Sequence, residues 1–375
     1  MKKNITKLLI KGAQFFLFCL VLYTFYKSEF YWEGSKRSYY LKYYIILLSL
    51  FFFSFLFNFF SNNVKQYILI VSFSLLFTSY LFEGLFLIFD FNTFINQELR
   101  EKKENIVKSK VDYDHRTLFE VYRERKVEND KLVSKVNPSY HLLTNSPLRP
   151  MSGISNSETL YCNENGYYVF YDSDRYGFRN LDSNWDDKIE IMVLGDSFAQ
   201  GACVNDDRLI SNQLDYKVIN ASYVGMGTLS QLATLKEYYS ITDPKIVLWF
   251  YSEGNDLFNL NFELKDKILK NYLGSPKFTQ NLINRQKEID NLNFKILKKE
   301  IDRKKKQHYK VYIDALKLAT LRSLLIERFF KEESEYKEIS YSHNLDNFEK
   351  ILLNAQSFLK ANNTKLIMVY TPQIF

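Results

Sequence analysis

Ile189, Ile191, Met192, Val193 and Leu194 form a short apolar run that stops abruptly at Gly195-Asp196-Ser197 and then turns polar through Cys203. A near-continuous apolar run of this length predicts a parallel strand covered on both faces. Gly195 allows the backbone to bend where the strand ends. Ser197 is thereby expected at the carboxyl end of a central strand and the amino end of the next helix. Open α/β sheets place ligands at that edge, and free backbone N–H groups there hold anions. A serine hydroxyl so placed is suited to nucleophilic chemistry, provided a neighbouring base takes its proton.

Two further stretches follow the same plan. After an expected strand, Lys217–Ile219, comes Asn220-Ala-Ser-Tyr-Val-Gly225-Met-Gly227-Thr; after another, Ile246–Tyr251, comes Glu253-Gly254-Asn255-Asp256. With Gly195-Asp196-Ser197-Phe198, the set resembles the first three sequence blocks of the SGNH/GDSL hydrolases. The resemblance implies a flavodoxin-like, three-layer α/β domain with a parallel sheet. It assigns Ser197 as nucleophile and the Ser197 N–H, the Gly225 N–H and the Asn255 amide as oxyanion hole, with no cofactor and no metal. Glu253 stands where the family has glycine, and Asp196 and Asp256 are expected to hold turns. The implied function is a serine-dependent acyl-ester hydrolase or O-acyltransferase acting on an acylated cell-envelope carbohydrate. The alternative is a non-catalytic glycan-binding or assembly subunit on the same fold.

The family carries its base in a final Asp-x-x-His block, and this chain stops at Phe375 before one. Of its 4 histidines, only His115 sits in such a motif, Asp112-Tyr-Asp-His115, on the membrane side of the core; His308 and His343 have no acid three residues earlier. The expectation is a sequence lacking its carboxyl end, and with it the catalytic histidine, so that the chain as given is inactive.

The elements around these blocks divide the 375 residues into three parts. Residues 1–90 carry apolar stretches at 8–26, 43–60 and 67–89, each near the ~20 residues that cross a bilayer core, and predict three membrane helices. A cleaved signal peptide is the other reading of the first stretch. Glu83, within the third, is either a functional intramembrane carboxylate or a residue near a helix end that reaches the headgroups. Lys2, Lys3, Lys7 and Lys11 precede the first span without an acid, whereas Glu29 and Glu33 accompany Lys27, Lys36, Arg37 and Lys42. That asymmetry favours a cytoplasmic amino end and, with three spans, a large domain outside. The resemblance implies the same placement, in a bacterial cytoplasmic membrane.

Residues 91–150 are charged and read as a stalk, with a helix from Arg116 capped by Asp114. Residues 151–375 form the α/β domain, led by a segment with a strand at Tyr167–Tyr171. Within it, helices are expected at Asp206–Leu214, Leu229–Tyr239 and Asn344–Lys360, a strand at Lys365–Tyr370, and a charged helical insertion at about 257–340. Strands alternating with helices predict a parallel sheet. Arg175 and Arg179 are either structural ion-pair partners or substrate contacts. The net charge of +7 comes largely from membrane flanks and from Arg303-Lys-Lys-Lys306, a solvated helix face, and no basic-aromatic motif indicates nucleic acid. The lipid bilayer and an ester substrate are the expected partners. Cys162 and Cys203 lie outside the spans, and two readings stay open for them: a disulfide, or separate buried thiols.

Overall fold

A computed structural model describes residues 2–89, 113–143, 146–330 and 344–372. Asp112, His343, the first part of the expected stalk and the end of the expected insertion lie outside these residues. The chain forms two compact units, residues 1–92 with 314–331, and residues 93–313 with 332–375.

The first unit opens with the helices α1 (Lys2–Phe25), α2 (Arg37–Leu56) and α3 (Asn62–Phe89), and α1 runs on as a π-helical turn, Tyr26–Tyr31. All three are long and apolar enough to cross a membrane, over Ile5–Tyr31, Arg37–Leu56 and Asn62–Ile88. At about 1.5 Å per residue each matches a hydrocarbon core of about 30 Å. The second span starts and stops earlier than hydropathy suggests, because Gly34 takes a left-handed turn (φ 76°) and α2 winds from Arg37, whose guanidinium pairs with Glu29. Phe15 and Phe73, 70% and 69% exposed, present apolar surface of the kind that lipid covers. At the loop, Lys27 lies 3.5 Å from the Tyr31 ring centre and Lys36 3.6 Å from that of Trp32, the residue types that favour a membrane–water interface. Gln14 donates to the Ser54 carbonyl (3.1 Å), bridging α1 and α2.

Glu83 does not reach outward from its helix. It is 2% exposed, and its two carboxylate oxygens accept the backbone N–H groups of Thr320 (2.9 Å) and Leu321 (3.1 Å). These open a later helix, Ala319–Phe330, which packs on α3. A helix begins with unpaired N–H groups and a partial positive charge, so a carboxylate at this point both caps it and compensates its own burial. Tyr80, one turn before Glu83, donates to the Leu316 carbonyl (3.0 Å).

In the second unit, α4 (Leu118–Glu128) starts at Thr117, whose hydroxyl accepts the Glu120 N–H while Glu120 accepts the Thr117 N–H. This reciprocal capping box displaces the expected cap: Asp114 instead pairs with Arg116. Strands β1 (Val133–Ser134), β2 (Glu158–Leu160) and β3 (Phe170–Asp172) make a small mixed sheet, and α4 closes on it through Val121, Leu132 and Leu160. The third of these strands lies later than the expected Tyr167–Tyr171.

The main sheet contains β4 (Ile191–Leu194), β5 (Val218–Asn220), β6 (Ile246–Ser252) and β7 (Lys365–Thr371), all parallel, in the order β5-β4-β6-β7. Met192 and Leu194 join the principal core, and Ile191 and Val193 a second cluster with Val218 and Phe250. Alternate residues of β4 thus enter opposite faces, which accounts for the unbroken apolar run.

Between β4 and β5, the four-residue helix α5 (Ser197–Gln200) follows, and the helix expected at 206–214 is replaced by two 3-10 turns, Asp206–Arg208 and Ile210–Gln213. Tertiary bonds explain the difference: the Asp206 carboxylate accepts from Arg179 and its carbonyl from Asn212. Helix α6 (Thr228–Thr242) joins β5 to β6. The expected insertion begins with α7 (Asp256–Glu263) and α8 (Lys267–Gly274), whose Leu260, Leu269 and Tyr272 are part of the principal core. It continues as α9 (Gln286–Leu316) and α10 (Ala319–Phe330), and α11 (Leu345–Ala361) leads into β7.

Replacing Glu83 by alanine leaves the first N–H groups of α10 without their acceptor, at a cost of roughly 0.5–2 kcal/mol for a cap. Limited proteolysis of detergent-solubilised protein should cleave within residues 314–331 faster in Glu83→Ala than in wild type, with Glu83→Gln, which keeps an acceptor, in between.

Candidate active site

The carboxyl ends of β4, β5 and β6 share one edge of the sheet, and each is followed by one of the three singled-out segments. From β4 the chain passes to its neighbour β5, then crosses to β6 on the other side of β4, so the ends of β4 and β6 border the crevice where a parallel sheet reverses its winding.

Ser197 emerges there because Gly195 packs too closely for any side chain. A Cβ on Gly195 would stand 2.6 Å from the Ala199 Cβ and 3.1 Å from that of Phe250. Asp196 caps α5, accepting the Phe198 N–H at 2.9 Å, and Gly201 ends it in a left-handed turn (φ 84°). Ser197 is half-buried and its hydroxyl makes no hydrogen bond among the described residues. Phe198 beside it is 60% exposed.

The second segment is hydrogen bonded to the first. Tyr223 donates its N–H to the Gly195 carbonyl (3.3 Å) and Asn220 its amide to the Ala199 carbonyl (2.8 Å). The buried Gln200 carbonyl oxygen accepts the Val224 N–H (2.9 Å) and the Tyr161 hydroxyl (2.7 Å). Gly225 follows with φ 77°, a conformation that favours glycine, and its Cα lies flush against the side chain of Asn137. Gly227 meets another neighbour: Glu263 reaches from α7 to accept the N–H groups of Gly227 (2.8 Å), Leu229 (3.0 Å) and Ser230 (3.3 Å). The amino end of α6 is therefore filled by a carboxylate of this chain.

In the third segment Asp256 accepts the Ser252 N–H (2.9 Å) and the Gln231 amide (3.3 Å), which shapes the turn that carries Asn255. Asn255 and Ser252 lie beside Asp196 and draw its carboxyl down, while burial, the larger effect, pushes it above the ordinary range. Burial also raises Asp256, helped by the nearby Asp196 charge, and raises Glu263 against the N–H groups it accepts. Asp196 Oδ2, Ser252 Oγ and Asn255 Oδ1 are buried polar atoms without a geometrically sound partner. Such atoms are uncommon in a folded core, and their grouping beside Ser197 marks a polar site. Glu253 donates its N–H to the Thr371 carbonyl (3.1 Å), and its carboxylate lies beside the Tyr370 hydroxyl.

Of the two arginines before β4, Arg179 serves the loop after Ser197. Arg179, 4% exposed, donates to the carbonyls of Gly201 (2.8 Å) and Val204 (2.9 Å) and pairs with Asp206 (2.7 Å). Arg175 pairs with Asp182 and Asp186 at the surface. Cys162 and Cys203 are joined by a disulfide with Cα atoms 5.3 Å apart. It closes a loop of 41 residues, worth about 3–4 kcal/mol by the chain-entropy estimate.

No described histidine is hydrogen bonded to Ser197. His115 is exposed against Tyr113, and His308 lies 5.7 Å from the Phe119 ring. His141 is 1% exposed with its Nε2 2.9 Å from Asn293 Oδ1, and burial lowers its pKa. Among the described residues no group of acids, histidines and cysteines has the arrangement to hold a metal ion. Sequence reasoning missed Asn137, Gln200 and Glu263: each is a single polar residue in a loop or short helix, where no periodicity separates a buried acceptor from a solvated one.

Gln200→Leu would leave the Val224 N–H and Tyr161 hydroxyl without an acceptor, and an unpaired buried group costs roughly 1–3 kcal/mol. The expected result is a loss of at least that size in denaturant unfolding followed by tryptophan fluorescence, with Gln200→Glu, which keeps the acceptor, losing less.

The segments that hold Ser197 and Gly225 are thus bonded to each other, and that of Asn255 adjoins them beside Asp196, at one edge of a parallel sheet. No family model, curated protein or solved structure matches this chain.

Proposed function

We propose that the second unit is a serine-dependent acyl-ester hydrolase or O-acyltransferase of the SGNH/GDSL type, acting on an acylated carbohydrate of the bacterial cell envelope. The observation that carries this reading is the convergence of the Ser197, Gly225 and Asn255 segments at the carboxyl edge of β4, β5 and β6. The order β5-β4-β6-β7 agrees with the first four strands of a flavodoxin-like sheet.

On this reading the Ser197 hydroxyl oxygen attacks the ester carbonyl and its proton passes to a general base. The resulting oxyanion accepts hydrogen bonds from the Ser197 and Gly225 N–H groups and the Asn255 amide. Collapse expels the alcohol, which takes up the proton, and leaves an acyl-serine. Water then completes hydrolysis, or a sugar hydroxyl completes transfer. Loss of one oxyanion donor typically costs about 2.7–4 kcal/mol of transition-state stabilisation. No base is bonded to Ser197 among the described residues, which is the observation favouring the second reading, a glycan-binding or assembly subunit that keeps the fold without the chemistry.

A fluorophosphonate separates the two. Labelling confined to Ser197, abolished by Ser197→Ala and accelerated by added imidazole acting as an external base, is the expected outcome. Absence of labelling with imidazole present would favour the binding subunit.

The proposed location is the cytoplasmic membrane with the α/β unit outside. The Cys162–Cys203 disulfide supports it, since such bonds persist in oxidising compartments. Alkaline phosphatase fused after Phe375 should be active in cells and a cytoplasm-dependent fluorescent protein dark; the reverse pattern would place the unit inside.

A further inference from the structure

Asn137 lies on the loop after β1, outside the main sheet and remote in sequence from all three segments of the site. Its side chain nevertheless covers Gly225. A Cβ on Gly225 would stand 2.3 Å from Asn137 Oδ1, 2.5 Å from Nδ2 and 2.6 Å from Cγ, so the carboxamide occupies the space that any other residue at 225 would need.

The carboxamide is held in one orientation. Its Oδ1 accepts the Ser139 N–H at 2.9 Å, an Asx turn that identifies oxygen and nitrogen. The Asn137 carbonyl accepts the Tyr140 N–H (3.1 Å), and the following Pro138 restricts the Asn137 backbone to extended angles. On the other side, Val136 is 1% exposed in a cluster with Ile154 and Ile296, and its backbone lies beside the hydroxyl of Tyr223, two residues before Gly225. The two chains are therefore in fixed register. The Nδ2 group donates to nothing among the described residues, while Oδ1 accepts the Ser139 N–H and the residue is half-buried. A pre-oriented, unused amide donor thus stands against the residue whose N–H is assigned to the oxyanion.

We propose that Asn137 Nδ2 is a further hydrogen-bond donor to the acyl oxygen bound beside Gly225, supplied to the site by the segment ahead of the sheet. The inference rests on the serine-esterase reading above. A turn-forming asparagine with no other task would need only its oxygen. A donor to substrate needs the nitrogen, and the two atoms can be tested apart. Asn137→Asp keeps an acceptor for the Ser139 N–H and loses the donor; Asn137→Ala loses both and adds no charge.

The experiment is the rate of fluorophosphonate labelling at Ser197 in the 375-residue chain in detergent with imidazole present, together with thermal unfolding of each variant. The phosphonyl oxygen takes the place of the oxyanion. The expected result is labelling slowed by about 10-fold or more in both variants, with the unfolding temperature of Asn137→Asp close to wild type. Wild-type labelling rates in Asn137→Asp would overturn the donor role and leave only the turn. If Asn137→Ala fails to fold, Asn137→Asp alone decides. Wild-type protein that is unlabelled, or labelled equally after Ser197→Ala, would overturn the serine reading and this inference with it; slow variants of a labelled wild type separate the two.

Discussion

The Gln200 carbonyl oxygen takes two donors from opposite directions, the Tyr161 hydroxyl and the Val224 N–H, in a place closed to solvent. Leaving either donor unpaired in this buried place would cost roughly 1–3 kcal/mol, which ties the first and second segments together. Tyr161 also stands edge-on to Tyr171, with ring centres 5.7 Å apart, and thereby couples the small mixed sheet to the turn carrying Ser197. Arg179 and the Cys162–Cys203 bond repeat the principle on the far side of α5. The loop after Ser197 is therefore fastened at several points to chain that precedes the sheet, and residues 151–188 act as a frame for the site.

Three carboxylates shape the loops at this edge without being paired to cations there. Asp196, Asp256 and Glu263 each accept backbone N–H groups, and each is displaced upward in pKa by burial, with the Asp196 and Glu263 charges raising Asp256 further. Glu263 has a second effect. By taking the N–H groups at the start of α6, it fills the anion-binding end that a helix of this length offers.

What could be read in advance was whatever depends on local periodicity or on a run of residues. The apolar stretch at 189–194 announced a doubly covered strand because both of its faces are buried. The three spans announced themselves by length, with ends displaced where a left-handed glycine and a Glu29–Arg37 pair set the turn. The segment 206–214 misled because its helical pattern is real but its Asp206 is claimed by Arg179, and a tertiary acceptor outweighs a weak local propensity. Thr117 displaced Asp114 as cap because Glu120, three residues on, returns the bond. Asn137 and Gln200 carried no advance signal, since a polar residue is buried only by virtue of partners remote in sequence.

Glu83 and Thr320 are 237 residues apart. A ribosome adding about 5–20 residues per second needs on the order of ten to fifty seconds to cover that interval. Throughout it the Glu83 carboxylate has not yet met the N–H groups it caps; were α3 inserted as a span, that carboxylate would weigh on insertion by roughly 2.5–3.5 kcal/mol at mid-bilayer. The first unit is consequently unfinished when its third helix is made. Its maturation waits for most of the α/β unit to be translated, and the biogenesis of the two is one process in time.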